Sequence, residues 1–119
     1  MNAVIDRDDA LVNDLLAQGA NPDETDSAGW SALHFAALDC GQAIVEMLVK
    51  AGAALNLQDK YGNSPLWRAT MSYRGKEEVI STLLRAGADP DLPNEKGISP
   101  RSLANTIANY DTARFFDGF

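Results

Sequence analysis

The sequence predicts an all-α repeat solenoid of helix–turn–helix units, about four units counting the caps. Three observations predict it. Two glycine series share one period: Gly29, Gly62 and Gly97 are 33 and 35 residues apart, and so are Gly19, Gly52 and Gly87. The residues around each glycine repeat with it. Apolar residues between the glycines recur at helical spacing. Self-similarity at a period of this length marks stacked units, each burying one face on the next.

Each unit opens on a turn. Asp26-Ser27-Ala28-Gly29-Trp30-Ser31-Ala32-Leu33-His34 aligns with Asp59-Lys60-Tyr61-Gly62-Asn63-Ser64-Pro65-Leu66-Trp67, and Asn94-Glu95-Lys96-Gly97-Ile98-Ser99-Pro100 aligns with both. Ser31, Ser64 and Ser99 are placed to cap a helix, accepting from amides of its first turn. Pro65 and Pro100 fall at the first helical position, where a missing N–H costs nothing. The first helix is rich in alanine (Ala36, Ala37, Ala69, Ala104), which lets backbones approach. The second carries Ile44, Val45, Leu48 and Val49, with Leu11, Val12, Leu15 and Leu16, and Val79, Ile80, Leu83 and Leu84, as equivalents. Gly19, Gly52 and Gly87 then stop that helix in the left-handed conformation. An Asp/Asn-rich stretch leads to the next unit.

A 33-residue period, a start such as Asp59-Lys60-Tyr61-Gly62-Asn63-Ser64-Pro65-Leu66 and a close such as Ala86-Gly87-Ala88-Asp89-Pro90-Asp91 resemble the ankyrin repeat. The resemblance implies short β-hairpin turns between the helix pairs and one domain over 1–119. A partial N-terminal cap occupies 1–25, repeats occupy 26–58 and 59–93, and a closing cap occupies 94–119. The repeat at 59–93 has two extra residues near Met71-Ser72-Tyr73-Arg74-Gly75-Lys76 and carries Trp67 where the preceding repeat has His34. In the closing unit the Leu-His pair becomes Arg101-Ser102, as suits a unit whose outer face meets water.

Composition narrows the function. The formal net charge is −7 and the pI about 4.4, so a nucleic-acid partner is not expected, because phosphate binding needs clustered Lys and Arg. The charge is uneven. Residues 1–59 hold ten acids and two bases, and residues 60–119 hold seven acids and eight bases. No apolar run approaches the about 18 residues of a membrane span, and the N-terminus lacks the basic and apolar regions of a secretory signal. One cysteine, Cys40, allows no intrachain disulfide and fits a reducing compartment, so a cytoplasmic location is expected. No phosphate-cradling loop and no Cys/His cluster for zinc is present, and no nucleophile–base pairing stands out. No catalytic residue, cofactor or metal ion is therefore expected. The resemblance gives His34 a structural role, bonding backbone between repeats.

The resemblance also implies a binding face made of the turn tips and the concave ends of the first helices. The positions that fall there are Trp30, Tyr61 and Ile98 on the turns, and Leu38, Asp39 and Met71 on the helix ends, with Tyr73 and Arg74 in the insertion. Their apolar members are expected to stand exposed as an interface centre. Asp23, Glu24, Asp26 and Asp39 are expected to form an anionic rim. The chain further resembles small stand-alone bacterial ankyrin proteins of the toxin-immunity type, on Gly62-Asn63-Ser64-Pro65-Leu66-Trp67 and Ile107-Ala108-Asn109-Tyr110-Asp111. That implies an immunity protein, monomeric when free, that binds and neutralises a toxin with a basic surface. The alternative is a generic adaptor or regulatory scaffold for another intracellular protein. A toxin gene beside this one distinguishes the two.

Overall fold

A computed structural model of the chain describes residues 8–38, 41–72, 78–106 and 113–119. Among them lie six helices: α1 (Asp9–Ala17), α2 (Ala32–Leu38), α3 (Gln42–Lys50), α4 (Pro65–Met71), α5 (Glu78–Ala86) and α6 (Pro100–Thr106). They sort into two layers. In the inner layer α2 packs on α4, and α4 on α6. In the outer layer α1 packs on α3, and α3 on α5, while α2–α3 and α4–α5 join the layers. The molecule measures 40 × 26 × 22 Å, the elongated form of a stack. This is the all-α repeat solenoid that the glycine period predicts.

Local chemistry sets the helix ends. The Ser31 hydroxyl accepts from the His34 amide (3.4 Å), Ser64 from that of Trp67 (3.2 Å) and Ser99 from that of Ser102 (3.1 Å). Asp8 caps α1 in the same way through the Leu11 amide (3.0 Å). The stops at Gly19, Gly52 and Gly87 all have positive φ. At Gly52 a Cβ would meet nothing within 4 Å. Gly52→Ala is therefore expected to cost only the left-handed penalty, about 1–2 kcal/mol, read as a lower urea midpoint. An unshifted midpoint would show that this helix stop does not depend on glycine.

The core is built from both layers. Leu33, Ala36, Ala37, Leu66, Ala69 and Ala104 come from the inner helices, and Ile44, Val45, Leu48, Val79, Ile80, Leu83 and Leu84 from the outer ones. The first unit differs from its expected equivalence: in α1 only Val12 is buried, Leu15 and Leu16 are half-buried, and Leu11 is exposed. At the far end Phe116 is fully buried. Arg101 holds that segment, donating to the carbonyls of Phe116 (3.1 Å) and Phe119 and to the Asp91 carboxylate (2.8 Å).

The turns stack as well. In each, the amide of the first residue donates to the carbonyl four residues on: Asp26 to Trp30, Asp59 to Asn63 and Asn94 to Ile98, all at 3.0 Å. The expected hairpins are reduced to these turns. Among the described residues no strand forms, and one isolated bridge joins Thr25 to Ser31, because each loop is too short for a ladder. Neighbouring turns are tied together, Lys60 N–H to Ala28 carbonyl (2.9 Å) and Glu95 N–H to Tyr61 carbonyl (3.1 Å).

Candidate functional site

The turn positions are rigid because one side-chain oxygen in each ties down two amides. Asp26 Oδ1 accepts from Ala28 and Trp30, Asp59 Oδ1 from Tyr61 and Asn63, and Asn94 Oδ1 from Lys96 and Ile98, all at 2.9–3.0 Å. Residues at the tips are thus held in place before any partner arrives.

Between the first two complete turns the contacts are structural. His34 is fully buried. Its Nδ1 accepts from the Ser31 amide (3.1 Å), so the ring proton sits on Nε2, which donates to the Asn63 carbonyl (2.8 Å). Burial holds its pKa below the ordinary 6.5, outweighing the hydrogen bond to Asn63. This is the inter-repeat backbone bond that the resemblance implies.

Beside it stands a cluster the sequence did not announce. The Asp59 carboxylate is fully buried, and its Oδ2 accepts from Arg68 Nε (3.1 Å) and Nη2 (2.6 Å). The guanidinium also lies over two indoles, 4.6 Å from the Trp30 ring and 5.4 Å from that of Trp67. Burial pushes the Asp59 pKa up, but the Arg68 bond and the amides of Asn63 and Tyr61 outweigh it and hold it below 3.8. The pairing joins a turn residue to a helix residue nine positions later. Its only sequence signal is an aspartate opening the turn with an arginine nine residues on, a spacing that neither Asp26 nor Asn94 has.

The expected site residues fall into three groups. Tyr61 and Met71 are 51% and 58% exposed, and Leu38 and Ile98 are 37% and 36% exposed. Tyr61 and Ile98 line one recess of about 300 Å³ between adjacent turns. Leu38 and Met71 end the neighbouring helices α2 and α4. Trp30 departs from the expectation of an exposed anchor. It is half-buried, its ring 4.9 Å from Phe35 and 5.6 Å from His34, with Arg68 over its face. An indole beside an inner helix buries more area by folding back than by standing in water. Of the acids, Glu24 and Asp26 are exposed and Asp23 is half-buried. Asp23 Oδ1 accepts from the Ala54 amide of the next unit (2.7 Å), as Asn56 Oδ1 does from Asp89 (2.9 Å). Asp23 and Asp26 therefore carry structural bonds besides their charge. Asp39, Tyr73 and Arg74 lie outside the described residues, as does Cys40.

Sequence reasoning missed two further features. Trp67 Nε1 is buried and has no acceptor. A second recess, about 760 Å³, lies on the outer layer against Leu16, Ala17, Met47, Val49 and Thr82. Its residues read as ordinary amphipathic helix, because a groove arises from the spacing of helices and not from residue type.

Comparison with known proteins follows the geometry. A family model described as ankyrin repeats (3 copies) matches residues 1–94. Protein PhlB of Serratia liquefaciens is 36% identical over 106 residues, covering 88% of this chain and 46% of that protein. The ankyrin repeat protein YahD of Escherichia coli is 41% identical over 85 residues, covering 66% of this chain and 41% of its own length. The E3 ubiquitin-protein ligase KEG of Arabidopsis thaliana is 34% identical over 99 residues, 82% of this chain but 6% of that protein. The chain spans less than half the length of each of these relatives. The repeat period, the two-layer stack and the family match agree: the chain belongs to the ankyrin-repeat family.

Proposed function

We propose that this chain holds another protein against its concave face and that the protein held is a toxin with a basic surface, which makes the chain an immunity protein. Ankyrin repeats are protein-binding modules, and the fold by itself names no partner. The observation that carries the reading is the set Leu38, Tyr61, Met71 and Ile98. These are large apolar side chains left exposed on turn tips and inner-helix ends while the core closes without them. Exposed apolar groups gathered near a polar rim suit an interface centre. Asp23, Glu24 and Asp26 supply that rim and favour a basic partner. Repeats 26–58 and 59–93 are the binding units in this reading, with 1–25 and 94–119 as caps. Asp39, Tyr73 and Arg74 are assigned to the same face by their place in the repeat. A partner covered in this way needs no chemistry from the chain. Similarity to bacterial proteins such as PhlB and YahD fits a bacterial setting.

The test uses the product of a neighbouring toxin gene, purified and titrated by calorimetry and surface kinetics. Leu38→Ala and Met71→Ala, which replace no core residue, are each expected to cost about 2 kcal/mol of binding and to act on dissociation. Glu24→Gln should slow association and flatten its salt dependence. Glu24 is the acid to change, because Asp23 and Asp26 also hold backbone. Wild-type affinity in both apolar variants, with binding lost on changing Met47 in the outer recess, would move the partner to the outer layer. Cells that survive the toxin equally well without this chain would sink the immunity role.

A further inference from the structure

The face that carries Leu38, Tyr61, Met71 and Ile98 has spent its own polar groups. At the turn tips, Asp26 holds the amides of Ala28 and Trp30, Asp59 those of Tyr61 and Asn63, and Asn94 those of Lys96 and Ile98. The Lys60 and Glu95 amides donate to the neighbouring turns. On the inner helices the hydroxyls of Thr70, Ser72 and Thr106 donate to carbonyls of their own helices, at 2.8–3.0 Å. Arg68, midway along α4, gives its guanidinium to Asp59. A segment laid on this face therefore finds few partners for its backbone. An extended segment leaves its amides and carbonyls open, and covering them without partners is costly.

Spacing narrows the choice further. Leu38 and Met71 hold the same place in successive repeats, at the ends of α2 and α4, which pack on each other. Packed helices lie about 8–10 Å apart. Along a strand, side chains on one face fall at about 6.6 Å and then about 13 Å, so neither keeps step. A polyproline segment repeats its face every third residue, about 9 Å, but has no internal hydrogen bonds. An α-helix repeats its face at seven residues, about 10.5 Å, and closes its own backbone bonds. Only the helix meets both conditions. Charge fixes its rim: Glu24 and Asp26 stand exposed where the repeat of Leu38 opens.

We propose that the occupant of the concave face is an amphipathic α-helix of the partner, lying along the stack. Its apolar residues, seven apart, meet Leu38 and Met71, and its lysines or arginines reach Glu24 and Asp26. The inference rests on the concave-face reading above and adds the local structure of the partner.

The probe is an alanine-based peptide of about 21 residues, long enough to be helical in water. It carries lysines at its ends and one stripe of leucines seven apart. One control spreads the same leucines round the helix, and the other is proline-rich with leucine every third residue. Methyl-labelled methionine gives the whole chain three resonances, assigned through Met47→Leu and Met71→Leu. Met71 reports on the concave face and Met47 on the outer recess. The striped helix should move Met71 saturably and leave Met47 in place. Leu38→Ala should weaken it about tenfold, the scale of one apolar anchor. Glu24→Gln should weaken it at low salt and less at high salt. Equal movement of Met71 by the spread-leucine helix overturns the proposal. Movement by the proline-rich peptide in place of the helix overturns it too, but leaves the concave-face reading standing. Met71 unmoved by every peptide rules out the helix, and toxin affinity that still depends on Leu38 then keeps the concave face. Movement of Met47 alone overturns both and places the partner on the outer layer.

Discussion

Gly62→Ala is expected to lower stability by about 3 kcal/mol, well beyond the same change at Gly52. Both glycines have φ near +81°, so the left-handed cost is shared. The difference lies in the neighbour. A Cβ on Gly62 would stand 2.7 Å from the Glu95 amide nitrogen and 3.0 Å from Asn94 Cα. Those are backbone atoms, and the Glu95 amide is the one that donates to Tyr61. The methyl group cannot be relieved by a side-chain rotation, so one turn must move off the other. Moving it strips the inter-turn bond and loosens the Asn63–Asn94 contact. Urea denaturation of the two alanine variants in parallel checks this, with the fluorescence of Trp30 and Trp67 as the readout. Equal midpoints for Gly52→Ala and Gly62→Ala would show that the two turns are not in close contact in solution.

The fold was legible because period, caps and stops are written in residue types that do one thing. Glycine at a helix stop, proline at a first helical position and serine before it all keep their meaning out of context. The site was less legible because it depends on where side chains come to rest. Trp30 sits at a turn tip, and tips are exposed by default. What draws it in is Phe35 on the helix that follows and Arg68 from the next repeat, the latter a contact that exists only after stacking. Asp59 aligns with Asp26 and Asn94 and reads as one more turn acid. Its burial follows from the arginine nine residues on, which neither equivalent turn has. Trp67 was visible as a departure from His34, but not its orphaned N–H, because the tally of acceptors needs the positions of both turns.

Asp59→Ala is expected to destabilise by about 3 kcal/mol, the scale of removing one partner from a buried ion pair. The carboxylate serves four hydrogen bonds: two from Arg68, one from the Tyr61 amide and one from the Asn63 amide. Its loss frees two turn amides and strands the guanidinium between two indoles. Asp59→Asn keeps an acceptor for the amides and should recover part of the loss. Arg68→Leu should be damaging alone, because it leaves a carboxylate buried without its cation. The double variant Asp59→Asn with Arg68→Leu should fall short of the sum, since neither remaining group is then an unpaired charge. The same pair predicts an acid limb. Asp59 titrates below 3.8 when folded, so as pH falls the unfolded chain takes its proton first. The stability it contributes is present above about pH 3.8 and lost as pH falls through the folded value. His34 acts over a higher window by the same sign. Its folded pKa lies below 6.5, so its contribution is full above that pH and erodes below it, by at most about 1.4 kcal/mol per pH unit. Urea midpoints from pH 7.5 down to 3 should therefore fall in two stages. His34→Gln should remove the upper stage and Asp59→Asn the lower. A wild-type profile flat across both windows would mean that neither group is held as the structure places it.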